Sequence, residues 1–100
     1  MATLHILSHS PFADSRLGSC LRLLAPNDGL LLSGDAAYAL QPGSLTRQAL
    51  DLMPDAIALY ALAEDLEARA LPDLPPRLIA LDYPAFVERC CHYDKVNSWL

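Results

Sequence analysis

Ile57-Ala58-Leu59-Tyr60-Ala61-Leu62-Ala63-Glu64-Asp65-Leu66-Glu67-Ala68-Arg69 carries the change of periodicity that decides the fold. Its first half, Ile57 to Leu62, is a nearly continuous apolar run of strand length. In the second half Glu64 and Asp65 fall at a helix start and Arg69 near its end, which complements the helix dipole. Asp65 and Arg69 also stand at i, i+4, where opposite charges meet on a helix surface. The segment predicts a strand that gives way at once to a helix.

The same switch recurs along the chain. Apolar runs at Leu4 to Leu7, Leu30 to Leu32 and Leu78 to Leu81 are each followed by turn chemistry and then helical spacing. Runs this continuous suit strands buried on both sides, so the pattern predicts an α/β domain: mostly parallel strands with helices on both faces. The crossovers between parallel strands should be right-handed. A first helix should begin near Asp14 or Ser15, carry Leu17, Cys20, Leu21 and Leu24 on one stripe, and stop before Pro26. Asn27-Asp28-Gly29 reads as the turn into the second strand, and Asp35 as the cap of a short helix through Leu40 that Gln41-Pro42-Gly43 breaks. Ser44 to Leu52 reads as another short helix. Pro72 to Pro76 reads as a stiff loop, and Pro84 as a residue in the first turn of the last helix. Without repeats, low-complexity tracts or linkers, residues 1–100 read as one domain.

Composition narrows the function. Apolar residues make up 53% of the 100 and charged residues 19%, below the usual quarter or so, which leaves little charge to cover the outside. A stable partner surface is therefore expected. Seven Lys plus Arg against 12 Asp plus Glu give a net charge of -5, and no basic run is present to meet a phosphate backbone, so direct nucleic-acid binding is not expected. No apolar run reaches membrane-spanning length, and Met1 to Leu7 lacks the form of a signal peptide, so the chain reads as cytoplasmic. Three cysteines, two of them adjacent at Cys90 and Cys91, do not make a secreted disulfide framework.

Cys20 is the sharpest site candidate. Arg16, one turn earlier, would favour a thiolate, while the Leu17, Leu21, Leu24 stripe would make Cys20 a small buried hydrophobe. Cys90, Cys91 and His92 lack a second ligand pair and adjacent cysteines diverge on a helix, so Cys90 reads as packing with Phe86 and Val87, and no metal is expected. His5 and His9 read as hydrogen-bonded structural residues, and Gly34-Asp35 as turn plus cap rather than a phosphate cradle. Trp99 suits either docking within the chain or a protein interface.

Read in order, Leu4-His5-Ile6-Leu7, Ser10-Pro11-Phe12, Cys20, Gly34-Asp35, Glu64-Asp65-Leu66, Ala68-Arg69, Asp82-Tyr83, Phe86-Val87 and Ser98-Trp99 resemble the TusB/DsrH family over nearly the whole chain. That family supplies the small subunit of DsrE-fold sulfur-relay complexes. The resemblance implies a DsrE-like fold and two DsrE-fold siblings, TusC/DsrF-like and TusD/DsrE-like, in a dimer of heterotrimers that meets sulfur-carrier proteins. It implies no cofactor. The main persulfide cysteine would lie on a sibling, because none occurs here between Leu62 and Arg77. The implied function is passage of persulfide sulfur, toward 2-thiolation of the tRNA wobble uridine in TusB-type systems or toward dissimilatory sulfur oxidation in DsrH-type ones. Cys20 stands where DsrH-type members have a cysteine, which implies an accessory sulfur-handling thiol. An autonomous sulfurtransferase using Cys20 as nucleophile is the competing reading. Either role requires an exposed sulfur.

Overall fold

The four apolar runs are strands, and a fifth strand joins them. In the computed structural model, which describes residues 2–13 and 15–99, the order is β1 (Thr3–Leu7), α1 (Arg16–Leu23), β2 (Gly29–Leu32), a 3₁₀ helix (Gly34–Leu40), α2 (Leu45–Asp51), β3 (Ala58–Leu62), α3 (Ala63–Arg69), β4 (Leu78–Leu81), α4 (Tyr83–Cys90) and β5 (Lys95–Trp99). The strands form one five-stranded sheet, β4-β3-β2-β1-β5, and every pairing is parallel.

Local chemistry sets the helix ends. Ser44 Oγ accepts from Arg47 N at 3.1 Å to open α2, and Asp82 Oδ1 accepts from Ala85 N at 2.9 Å to open α4, with Pro84 in the first turn. Of the two start positions expected for α1, Asp14 lies outside the described residues, and Ser15 is the N-cap without a side-chain hydrogen bond. The expected cap at Asp35 is corrected. Ser33 occupies the cap position of the 3₁₀ helix, and Asp35 Oδ1 instead accepts from Arg69 Nη2 at 2.8 Å. An arginine arriving from α3 offers the carboxylate a charged partner, which outcompetes a local backbone N–H.

Strand alternation sorts the core into two layers. Leu7, Leu30, Leu32, Leu59 and Ala61 point to one face and pack beneath Leu17 and Cys20 of α1, the alanines and Leu40 of the 3₁₀ helix, Leu50 of α2 and Leu66 of α3. Leu4, Leu31, Tyr60, Leu62 and Leu81 point to the other, against Ala85, Phe86 and Cys90 of α4 and Tyr93. The connections from β1 through β4 all step one way across the sheet, and their helices lie on the first face. The step from β4 back to β5 runs the other way and uses the second face, as a single hand of crossover requires.

The two faces are therefore covered unequally. The second carries the eight-residue α4, none of whose residues is fully buried. Ile79 and Val96, one on each edge strand, stay 45% and 46% exposed, and Tyr83 and Val87 of α4 stay 57% and 55% exposed. Tyr93 closes this face over β2. A Cβ at Gly29 would strike the Tyr93 hydroxyl, come within 2.8 Å of Tyr93 Cζ and within 3.0 Å of Leu4 Cδ1, so the strand begins on glycine because a phenol ring lies against its backbone. The Tyr93 hydroxyl meets that of Tyr60 at 3.0 Å, and burial is the main cause that pushes its ionisation well above the ordinary tyrosine range.

Candidate functional site

Cys20 sits on the buried side of α1, fully out of solvent in the first-face core. Burial, then the nearby Asp28 charge, pushes its thiol up to about 12. The direction is opposite to the thiolate activation expected from Arg16, because burial takes the thiolate out of water and the Asp28 charge repels it. In this fold Cys20 is a protonated, sequestered thiol. In the native chain alkylation at pH 8 should therefore label exposed Cys91 first and leave buried Cys20 unmodified until the chain unfolds. Peptide mapping of the label checks this, and early modification of Cys20 would contradict its placement.

Beneath Cys20 lies a buried polar network. Asp28, 4% exposed, accepts from Thr3 N at 2.9 Å and from Ala25 N at 2.9 Å. Its second oxygen also faces His5 Nε2 at 3.4 Å. Burial alone would raise the Asp28 carboxyl, but the Ala25 and Thr3 N–H groups together with His5 outweigh it and hold the group below the ordinary aspartate value. On the other side of the ring, Trp99 Nε1 donates to His5 Nδ1 at 3.2 Å. His5 is thus the hydrogen-bonded structural residue the sequence predicts. Trp99 docks within its own chain, packed against the first-face core.

The region after β3 is occupied by an ion-pair cluster. Asp65 Oδ2 accepts from Gly34 N at 2.9 Å, and Arg69 reaches Asp35 at 2.8 Å and Asp65 at 3.6 Å while its guanidinium lies 5.5 Å from the centre of the Tyr38 ring. The hydrogen bond to Asp35 is the main cause that pushes the ionisation of this always-charged guanidinium further up. Beside it a cleft of about 390 Å³ opens between Tyr38, Gln41, Arg69, Leu71 and Asp73. None of the residues lining it is a cysteine or a histidine. The cleft therefore offers no thiol for sulfur chemistry.

Cys90 is half-buried against the second-face core beside Phe86, as the sequence predicts, but Val87, expected on the same packed face, points to solvent, and Cys91 and His92 are exposed, with His92 Nε2 3.9 Å from Glu88. Among the described residues no three His, Cys, Asp or Glu side chains are grouped to hold a metal ion, and no helix is long and apolar enough to cross a membrane. The residues that sequence reasoning missed are Asp28 as a hub and Arg77, whose guanidinium fans onto the carbonyls of Leu50, Met53, Pro54 and Ile57. A buried acid at a turn into a strand looks like any other turn residue, and nothing local marks such an arginine.

Known proteins agree with this architecture. The chain resembles the crystal structure of the ychN protein from E. coli with a TM-score of 0.79, covering 99% of this chain and 100% of that one at 18% identity. A protein of unknown function, MTH1491 from Methanobacterium thermoautotrophicum, follows at a TM-score of 0.69 and 14% identity, with 96% of each chain covered. By sequence, Protein TusB of Erwinia tasmaniensis is 39% identical over 97 residues, 96% of this chain and 99% of the relative. Protein TusB of Escherichia coli is 35% identical over the same length. The family described as DsrH-like protein matches residues 9–96, and on these grounds the chain belongs to the DsrH-like family, with TusB proteins among its relatives.

Proposed function

We propose that this chain is an ancillary subunit of a sulfurtransferase relay in which DsrE-fold siblings complete its surface and one of them carries the persulfide. Membership of the DsrH-like family supports a sulfur-relay subunit. The single observation that carries the division of labour is Cys20: a protonated thiol with no access to solvent suits packing rather than acceptance of sulfur from a carrier. The thinly covered second face, with Ile79, Tyr83, Val87 and Val96 exposed, supports burial against a partner. The proposed destination of the sulfur is position 2 of the tRNA wobble uridine, in the cytosol. In this reading the chain itself does not touch the tRNA, which accords with its net charge of -5. A role for Cys20 as an accessory thiol needs α1 to lift from the sheet in the assembled complex.

Co-expression tests the proposal. The chain should copurify with two DsrE-fold siblings in equal amounts, and the Cys20→Ser complex should keep at least about half of its sulfur transfer to a downstream carrier, since the thiol makes no contact with solvent. Recovery of this chain alone under mild conditions would remove the assembly. Loss of more than about tenfold in transfer by a folded Cys20→Ser complex would return the chemistry to this chain.

A further inference from the structure

His5 stands between a group that can only donate and one that accepts. The Trp99 indole N–H is a donor without acceptor capacity, so the His5 Nδ1 it approaches at 3.2 Å is bare. The neutral ring then carries its proton on Nε2, facing Asp28 Oδ2 at 3.4 Å. We propose that His5 is a proton-operated latch on β5: neutral, its Nδ1 holds Trp99 and with it the strand, and protonated, it loses that acceptor and lets Trp99 undock.

β5 is built to depend on this contact. It lies at the sheet edge, hydrogen-bonded to β1, and Lys95, Val96, Asn97 and Ser98 are all exposed. Trp99 is the strand's one residue packed on the core. The groups that bear on the ring come from three elements. Asp28, from the turn into β2, keeps its charge through the Thr3 and Ala25 N–H groups. From α1 the side chains buried against the sheet are Leu17 and Cys20, the latter an uncharged thiol at neutral pH. From the β5 side, Asn97 and Trp99 do not titrate, Lys95 is exposed, and Asp94 is engaged with Ala2 N at 2.8 Å.

The two contacts of the ring respond to a proton in opposite ways. An imidazolium keeps its hydrogen bond to Asp28 and gains an ion pair, so β1, α1 and β2 stay joined. On the other side it presents an N–H to the Trp99 N–H, and the hydrogen bond becomes a repulsive contact. The docked state binds one proton fewer than the undocked one, so by linkage a falling pH favours release. This inference concerns strand docking and does not rest on the sulfur-relay reading.

Trp99 is the single tryptophan of the sequence, so intrinsic fluorescence of the full chain reports it directly. Between pH 8 and pH 5 its emission should shift to the red in a one-proton transition while far-UV circular dichroism holds, and β5 amide protection should fall about fivefold, roughly the worth of one hydrogen bond. His5→Asn places a non-titrating oxygen near the Nδ1 position and should keep Trp99 docked at both pH values. Unchanged emission in the native sequence overturns the latch. So does a transition that persists in His5→Asn, where His9 and His92 are the remaining imidazoles. If that variant does not fold, imidazole nitrogen resonances of the unaltered chain decide. A bare Nδ1 at pH 8 that gains a proton together with the emission change supports the latch, and an Nδ1 already protonated at pH 8 overturns it.

Discussion

Asp28→Ala is expected to lower stability by about 3–5 kcal/mol, measured as the shift in urea midpoint at unchanged slope. One buried carboxylate joins the start of β1 through Thr3 N, the exit of α1 through Ala25 N, and the β1 ring of His5. Alanine leaves both backbone N–H groups without their acceptor, and each orphaned donor costs about 1–3 kcal/mol. Asp28→Asn should recover only part of the loss, because one of its two terminal atoms becomes a donor facing donors. The pH dependence has a definite sign. Burial pulls the Asp28 carboxyl upward and the Ala25, Thr3 and His5 contacts pull it further down, so its folded-state value lies below the unfolded one of about 3.9. The stabilisation is complete above the unfolded value and disappears as pH falls through the folded one. The gap between the native chain and Asp28→Ala should stay fully open at pH 7 and narrow progressively as pH falls below about 4. Coincident unfolding curves at pH 7 would refute the hub.

Arg77→Ala is expected to lower stability by about 2–4 kcal/mol, with a fall in melting temperature of about 4–8 °C for each kcal/mol in a domain of this size. Its Nη1 donates to Leu50 O at 3.3 Å and Met53 O at 2.7 Å, and its Nη2 to Pro54 O at 2.9 Å and Ile57 O at 2.8 Å. A charged donor thereby ties the end of α2 to the approach of β3, a stretch whose carbonyls have no strand to pair with. Lysine should restore less than half of the loss, since a compact ammonium cannot span four acceptors as a planar fork does. Full rescue by Arg77→Lys, read by calorimetry, would mean that the charge alone matters.

Much of this architecture was legible in the residues. Leu4–Leu7, Leu30–Leu32, Ile57–Leu62 and Leu78–Leu81 fall on β1 to β4 because strands buried on both faces leave unbroken apolar runs. Ser44 before α2, Pro84 in the first turn of α4, and the Asp65–Arg69 pair on α3 stand where local chemistry puts them. β5 left no such trace. Lys95-Val96-Asn97-Ser98-Trp99 lies on an edge with four of its residues in solvent, so it has neither a continuous run nor a clean alternation. The stripe on α1 identified Cys20 as a core position, while its thiol chemistry was a matter of burial and of Asp28, which spacing along a helix does not encode. Asp35 read as a cap because its partner, Arg69, comes from 34 residues away. The hub at Asp28 and the fan at Arg77 were invisible for the same reason: their partners are backbone atoms of distant segments, and any residue can supply them.

The pairing of β5 with β1 joins segments as far apart as Ala2 and Asp94, 92 residues along the chain. β1 to β4 leave a ribosome before β5 does, so their pairings can form first, while the β1–β5 pairing waits for Lys95–Trp99, and closing so long a loop is entropically slow. Until then the open edge of β1 is a template for any passing strand. A nascent molecule of this kind is most aggregation-prone in the interval before β5 docks, when a chaperone would protect it most.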